Sequence, residues 1–143
     1  MKNKQTGVAL VEFALVLPLL LILTFIVTEY SRALYQYNTL TKSVRNAARY
    51  LSVQTTRDTT KYATAKNLVV FGNPAGSGTP LAIGLTIAQV PDPVWKGEGA
   101  PEINTVRIEI SGYTFIPLVT SVFGLNFGNL TFAPISATMR APG

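Results

Sequence analysis

Residues 8 to 27 read Val8-Ala9-Leu10-Val11-Glu12-Phe13-Ala14-Leu15-Val16-Leu17-Pro18-Leu19-Leu20-Leu21-Ile22-Leu23-Thr24-Phe25-Ile26-Val27, with Glu12 the one charge among them. Twenty residues at 1.5 Å rise make a helix of about 30 Å, the thickness of a bilayer's hydrocarbon core. A run that is apolar on every face is not the stripe of a surface helix in a small domain. A secretory signal would have an apolar region of about 7 to 15 residues ending at a small-x-small site. Here the run is longer and leads into Thr28-Glu29-Tyr30-Ser31-Arg32 with no such site. The stretch therefore predicts a transmembrane helix over 8–28 in a single-pass protein.

Before the span lies Met1-Lys2-Asn3-Lys4-Gln5-Thr6-Gly7, a short basic leader. Lys2 and Lys4 favour a cytoplasmic N-terminus, although Arg32, Lys42, Arg45 and Arg49 beyond the span keep the charge bias small. Glu12 sits near the mouth of the span, about 6 Å in by helical rise. A carboxylate costs roughly 2.5–3.5 kcal/mol at mid-bilayer and less near an end. Pro18 has no N–H, so the Ala14 carbonyl loses its helical donor and a kink is expected.

Beyond the span, Tyr30, Leu34, Tyr37, Leu40, Val44, Ala47, Ala48 and Leu51 recur at spacings of three and four. Glu29, Arg32, Gln36, Thr39, Ser43 and Asn46 fill the other side. This periodicity predicts an amphipathic helix. No glycine or proline separates it from the span, so one helix is expected from about 8 to 52. A second helix is expected over 58–71, capped by Thr55 or Asp58 and ended by Gly72-Asn73-Pro74.

Three strands are expected after it. Leu81, Ile83, Leu85 and Ile87 alternate with smaller residues, and Pro91 to Pro101 reads as a loop. Val106, Ile108 and Ile110 alternate with Arg107, Glu109 and Ser111, the cleanest period of two in the chain. Leu130 and Phe132, then Ile135, Ala137 and Met139, alternate out of phase about Pro134, where a bulge or sheet edge would absorb the slip. The apolar stretch 117–128 either buries beneath the sheet, which is the expectation, or makes an exposed contact surface. Helices first and strands last predict an α+β fold, a small antiparallel sheet against the long helix, in the pilin-like plan.

The 143 residues contain neither histidine nor cysteine, which removes imidazole bases, thiol nucleophiles, the usual zinc ligands and disulfides. Asp92, Glu98 and Glu102 could approach one another, but their spacing matches no calcium loop. Gly76 and Gly78 are followed by no phosphate-binding lysine. No enzyme, cofactor or metal site is therefore expected. The net charge of +5 includes the group Lys42, Arg45, Arg49, Arg57, Lys61 and Lys66, read as a solvated face and not as a nucleic-acid site.

Gly7, followed by Glu12 five residues on and preceded by a basic leader, resembles the processing site of type IV prepilins and pseudopilins. The stretch Thr6 to Leu20 is similar to the start of the TadE-like family, pseudopilins of the tight-adherence (Flp-type) pilus apparatus. Glu29-Tyr30-Ser31-Arg32 and Val44-Arg45-Asn46-Ala47-Ala48-Arg49-Tyr50 extend the likeness over about fifty residues. Tyr113 to Leu118 and Ile135 to Arg140 have some of the same character. The chain is too short for the von Willebrand-type domain of TadG-like relatives.

The resemblance implies a leader of residues 1–7, cleavage after Gly7 by a membrane prepilin peptidase, and Val8 as the new first residue. Its α-amine would pair with Glu12, in the same subunit or a neighbour. It further implies a minor pseudopilin of the bacterial inner membrane with residues 29–143 as a head outside the cytoplasm. Its partners would be other pilins of a filament serving cell adhesion and biofilm formation. The alternative is an uncleaved, membrane-tethered binding or scaffold module.

Overall fold

The computed structural model describes residues 3–98 and 103–141, without the side chains of residues 3–6 and 98. It is α+β, as expected. The first element is a single helix, α1, Asn3–Ser52, with Pro18 inside it. Past Gly7, Pro18 is the one glycine or proline within it. Thr24, Thr28 and Ser31 each donate their hydroxyl to the carbonyl four residues back, at 2.8 Å. Hydroxyls so paired present no unmet donor to an apolar surrounding.

The described chain forms two compact units. One holds α1 up to Leu34 together with Pro117–Gly128; the other holds Tyr35–Ile116 and the residues from Asn129 onward.

In the second unit, the Leu40, Val44, Ala47, Ala48 and Leu51 face of α1 is fully buried. The expected apolar stripe is shorter than its sequence period. Tyr30, Leu34 and Tyr37 are exposed, because the core of the head begins only at Leu40.

A 3₁₀ turn at Thr59–Lys61 leads into α2, Tyr62–Phe71. Asp58 caps the turn by accepting the Thr60 N–H at 2.9 Å. Gly72 ends α2 in the left-handed conformation, φ 74°, donating its N–H to the Leu68 carbonyl, where a Cβ would be strained. Ala65, Val69 and Val70 face the core.

The expected strand over 81–87 is not formed. Those residues make turns and a 3₁₀ segment, Ile87–Gln89. Ala82, Leu85 and Val90 are the buried side chains there, while Leu81, Ile83 and Ile87 are exposed. The buried positions do not alternate, and Gly84 at φ 79° bends the backbone. The alternation of Leu81, Ile83, Leu85 and Ile87 therefore does not mark a buried face.

The missing strand lies instead in the expected loop. β1, Val94–Glu98, pairs antiparallel with β2, Ile103–Ile110. The residues joining them lie outside the described residues, as does Glu102. Val106, Ile108 and Ile110 are buried to about 1% exposure or less, as their alternation requires. On the opposite face Arg107 and Glu109 pair with each other at 2.6 Å.

Two short strands follow, β3 at Thr114–Phe115 and, after the 117–128 segment, β6 at Leu130–Thr131, and they pair with each other. β7, Ile135–Ala141, forms the far edge of the main sheet, in the order β1-β2-β7. The phase slip about Pro134 is thus a change of sheet. β7 keeps its alternation, whereas both residues of β6 are exposed, and the proline occupies the unpaired link between them.

The other unit contains the hairpin of β4, Ser121–Val122, and β5, Leu125–Asn126. The expected burial of 117–128 is not found: Leu118, Phe123 and Leu125 are 68%, 64% and 51% exposed.

Candidate functional site on the N-terminal helix

Gly7 lies in the first turns of α1, exposed, with no atom within 4 Å of the place a Cβ would occupy. Packing therefore does not demand glycine there. Val8 and Glu12 follow at helical positions separated by one turn. Gly7, Val8, Val11, Glu12 and Leu15 line one shallow, open face of the helix. The predicted processing residues are thus brought together by helical periodicity alone. Pro18, six residues past Glu12, is not among the residues lining it. Val8, Val11 and Leu15 are more than 60% exposed. Among the described residues Glu12 makes no hydrogen bond or ion pair, so its carboxylate is open to a group from outside the described chain.

A second carboxylate on α1 has the opposite character. Glu29, two residues past Val27, is only 7% exposed, although its sequence position placed it on the polar side. One oxygen, Oε2, accepts from Arg32 Nη1 at 2.6 Å and from the Leu118 N–H at 3.3 Å. The other, Oε1, accepts from the Val119 N–H at 3.3 Å. A buried carboxylate needs such partners to offset its lost hydration. Here a cation one helical turn away and two consecutive backbone donors supply them. The sequence signal for this residue was the Glu29–Arg32 spacing. That spacing signals a helical ion pair, and nothing in it points to the loop amides.

Elsewhere the chemistry is sparse. Lys42, Arg45 and Arg49 of the basic group are exposed along α1. Asp92 pairs with Lys66 at 2.6 Å, a surface bridge of small energetic weight. The Glu98 side chain and Glu102 lie outside the described residues, so the three-acid grouping is not described. Among the described residues no group of three potential metal ligands gathers.

A helix long and apolar enough to cross a membrane, joined to an α+β head, defines the chain as a candidate single-pass membrane protein. Residues 7–49 match the family model of TadE-like proteins. The resemblance seen in the sequence is thereby shown for residues 7–49. The matched segment ends within α1, ahead of α2 and every strand. No curated protein and no solved structure matches the chain.

Proposed function

We propose that this chain is a minor pseudopilin, a structural assembly protein of a tight-adherence (type IVc) pilus. In this reading α1 anchors it in the inner membrane and a prepilin peptidase cuts after Gly7. The head stands outside the cytoplasm, and the chain's role is structural, without a reaction of its own. The observation that carries the reading is the TadE-like match, which begins at Gly7 at the mouth of the apolar span. A peptidase must draw the bond between Gly7 and Val8 out of the helix. Glycine there weakens the helix by about 1 kcal/mol relative to alanine, and the first turns of a helix open most readily. The cut creates an α-amine on Val8 one turn from Glu12. Amine and carboxylate then neutralise each other, within one subunit or across to a neighbour's helix packed on the open face.

The second reading, an uncleaved tethered module, is favoured by one observation: α1 runs unbroken through Gly7 from Asn3. Cleavage after Gly7 separates the two, and Glu12→Ala tests the pairing that cleavage sets up. In the pseudopilin reading the variant inserts at least as well as the wild type, having lost an intramembrane charge, and is still cut. It no longer co-purifies with the pilus subunits. Undiminished co-purification would remove Glu12 from assembly.

A further inference from the structure

The 117–128 segment combines three properties. It lies inside the longest charge-free run of the head: no Asp, Glu, Lys or Arg occurs from Ile110 to Met139, while the chain as a whole has 12 basic and 7 acidic residues. It nevertheless exposes Leu118, Phe123 and Leu125. It also belongs to the same compact unit as the apolar part of α1.

The hairpin is built to present these groups. β4 and β5 pair Ser121 with Asn126 and Val122 with Leu125, and Phe127 N–H closes the next rung on the Thr120 carbonyl at 2.8 Å. Cross-strand partners share a face. One face therefore carries Val122, Leu125 and Phe127, and the other carries Ser121 and Asn126. The tip is Phe123-Gly124, with φ of 48° and 83°, a two-residue turn of the kind that favours asparagine and glycine. An aromatic residue held in left-handed backbone and pointed into open space is unfavourable on both counts. Glu29 sets the depth of this segment. It grips the Leu118 and Val119 amides two residues past Val27, about 3 Å along the axis, and Arg32 offsets its charge. On the same face of α1, four and seven residues back within the span, Phe25 and Ile22 are half-buried.

We propose that the Ser121–Asn126 hairpin sits in the head-group layer of the bilayer, a second, non-spanning membrane contact beside α1. This rests on the reading of α1 as a membrane anchor. A lipid surface is the occupant that matches an apolar tip at the end of the span, within a run free of charge. A protein partner's rim would ordinarily be met by polar and charged side chains.

The native chain has no cysteine, so single-cysteine variants of the full chain can be labelled with an environment-sensitive fluorophore. Leu19→Cys, Leu125→Cys and Ser77→Cys report the span, the hairpin and the head. The proteins are reconstituted at low density in vesicles of phosphatidylcholine and phosphatidylglycerol. The expected result is that the label at 125 is quenched by shallow nitroxide lipids, with roughly tenfold less quenching by aqueous iodide than at 77. This holds at every protein-to-lipid ratio. Adding Phe123→Asp restores iodide access at 125 and leaves 19 protected. Iodide access at 125 equal to that at 77, with 19 protected, overturns the hairpin contact while the anchor stands. Protection that appears only at high protein density assigns the patch to a second copy and also overturns it. Iodide access at 19 removes the anchor reading itself, and the hairpin proposal with it.

Discussion

The Glu29 carboxylate and the backbone of Leu118, 89 positions apart in sequence, are hydrogen-bonded at 3.3 Å. With the adjacent Val119 amide, this bond ties the 117–128 segment to the helix. Glu29→Ala leaves two amides without their acceptor, at about 1–3 kcal/mol for each donor that stays buried. Hydrogen exchange at Leu118 and Val119 should then accelerate by about tenfold or more, since 1.4 kcal/mol is a factor of ten. Glu29→Gln keeps a carbonyl oxygen in place and should show a smaller change. Unchanged exchange in Glu29→Ala would mean that the segment is held by its apolar contacts alone.

Tyr113 plays the corresponding part inside the head. Its hydroxyl lies 2.9 Å from Gln36 Oε1 and 3.0 Å from the Ile83 carbonyl, and its ring packs against Phe132, which in turn meets Tyr37 edge-on at 5.5 Å. It thereby joins α1, the 81–90 turns and the strand region. Tyr113→Phe keeps the ring and removes the hydroxyl. It should cost about 1–2 kcal/mol in urea unfolding of the full chain. Tyr113→Ala should cost more, about 3–5 kcal/mol, by adding a cavity.

The inward face of β2 should behave as a core. Ile108→Ala removes a side chain that is 1% exposed and should destabilise the head by about 2–5 kcal/mol. Arg107→Ala, on the outward face, should change stability by less than about 0.5 kcal/mol. Equal losses at the two positions would contradict the register of β2 with β7.

Asp58 gives the head a pH dependence of defined sign. Its carboxyl is held below the ordinary value of about 3.8 by the Thr60 hydroxyl, then the Thr60 N–H and, more weakly, the Lys61 charge. A depressed folded-state value means that the contribution is complete above the unfolded value and is lost as pH falls through the folded one. The wild-type advantage over Asp58→Asn in thermal unfolding should therefore be constant near neutrality and shrink only below about pH 4. A difference that persists unchanged to the lowest pH would show that the charge is irrelevant to the cap.

The parts of this fold that can be read in the sequence are those where burial imposes a period. Val8–Val27 is apolar all round, Leu40 to Leu51 recurs at three and four, and Val106 to Ile110 at two. Each pattern corresponds to an element in the structure. The 81–87 alternation has the same appearance without the cause, because its buried residues are Ala82 and Leu85, spaced by three. β1 was hidden because a five-residue strand with Gly97 becomes a strand by pairing with β2, and tertiary pairing leaves little local trace. Glu29 was hidden for a related reason. Its acceptors' partners are main-chain amides, which have no letter in the sequence. The processing residues are the reverse case: Gly7 and Glu12 are conspicuous as a motif, and the folded chain surrounds neither with a packed environment.

The central claim concerns the bond after Gly7, and the mass of the mature protein in its native membrane tests it most directly. With the peptidase present, the wild type should begin at Val8, lacking residues 1–7. Gly7→Leu should remain full-length, because a Cβ and side chain obstruct close approach to the backbone. A wild-type protein that keeps Met1-Lys2-Asn3-Lys4 in a membrane with active peptidase would contradict the pseudopilin account and leave the uncleaved, tethered module in its place.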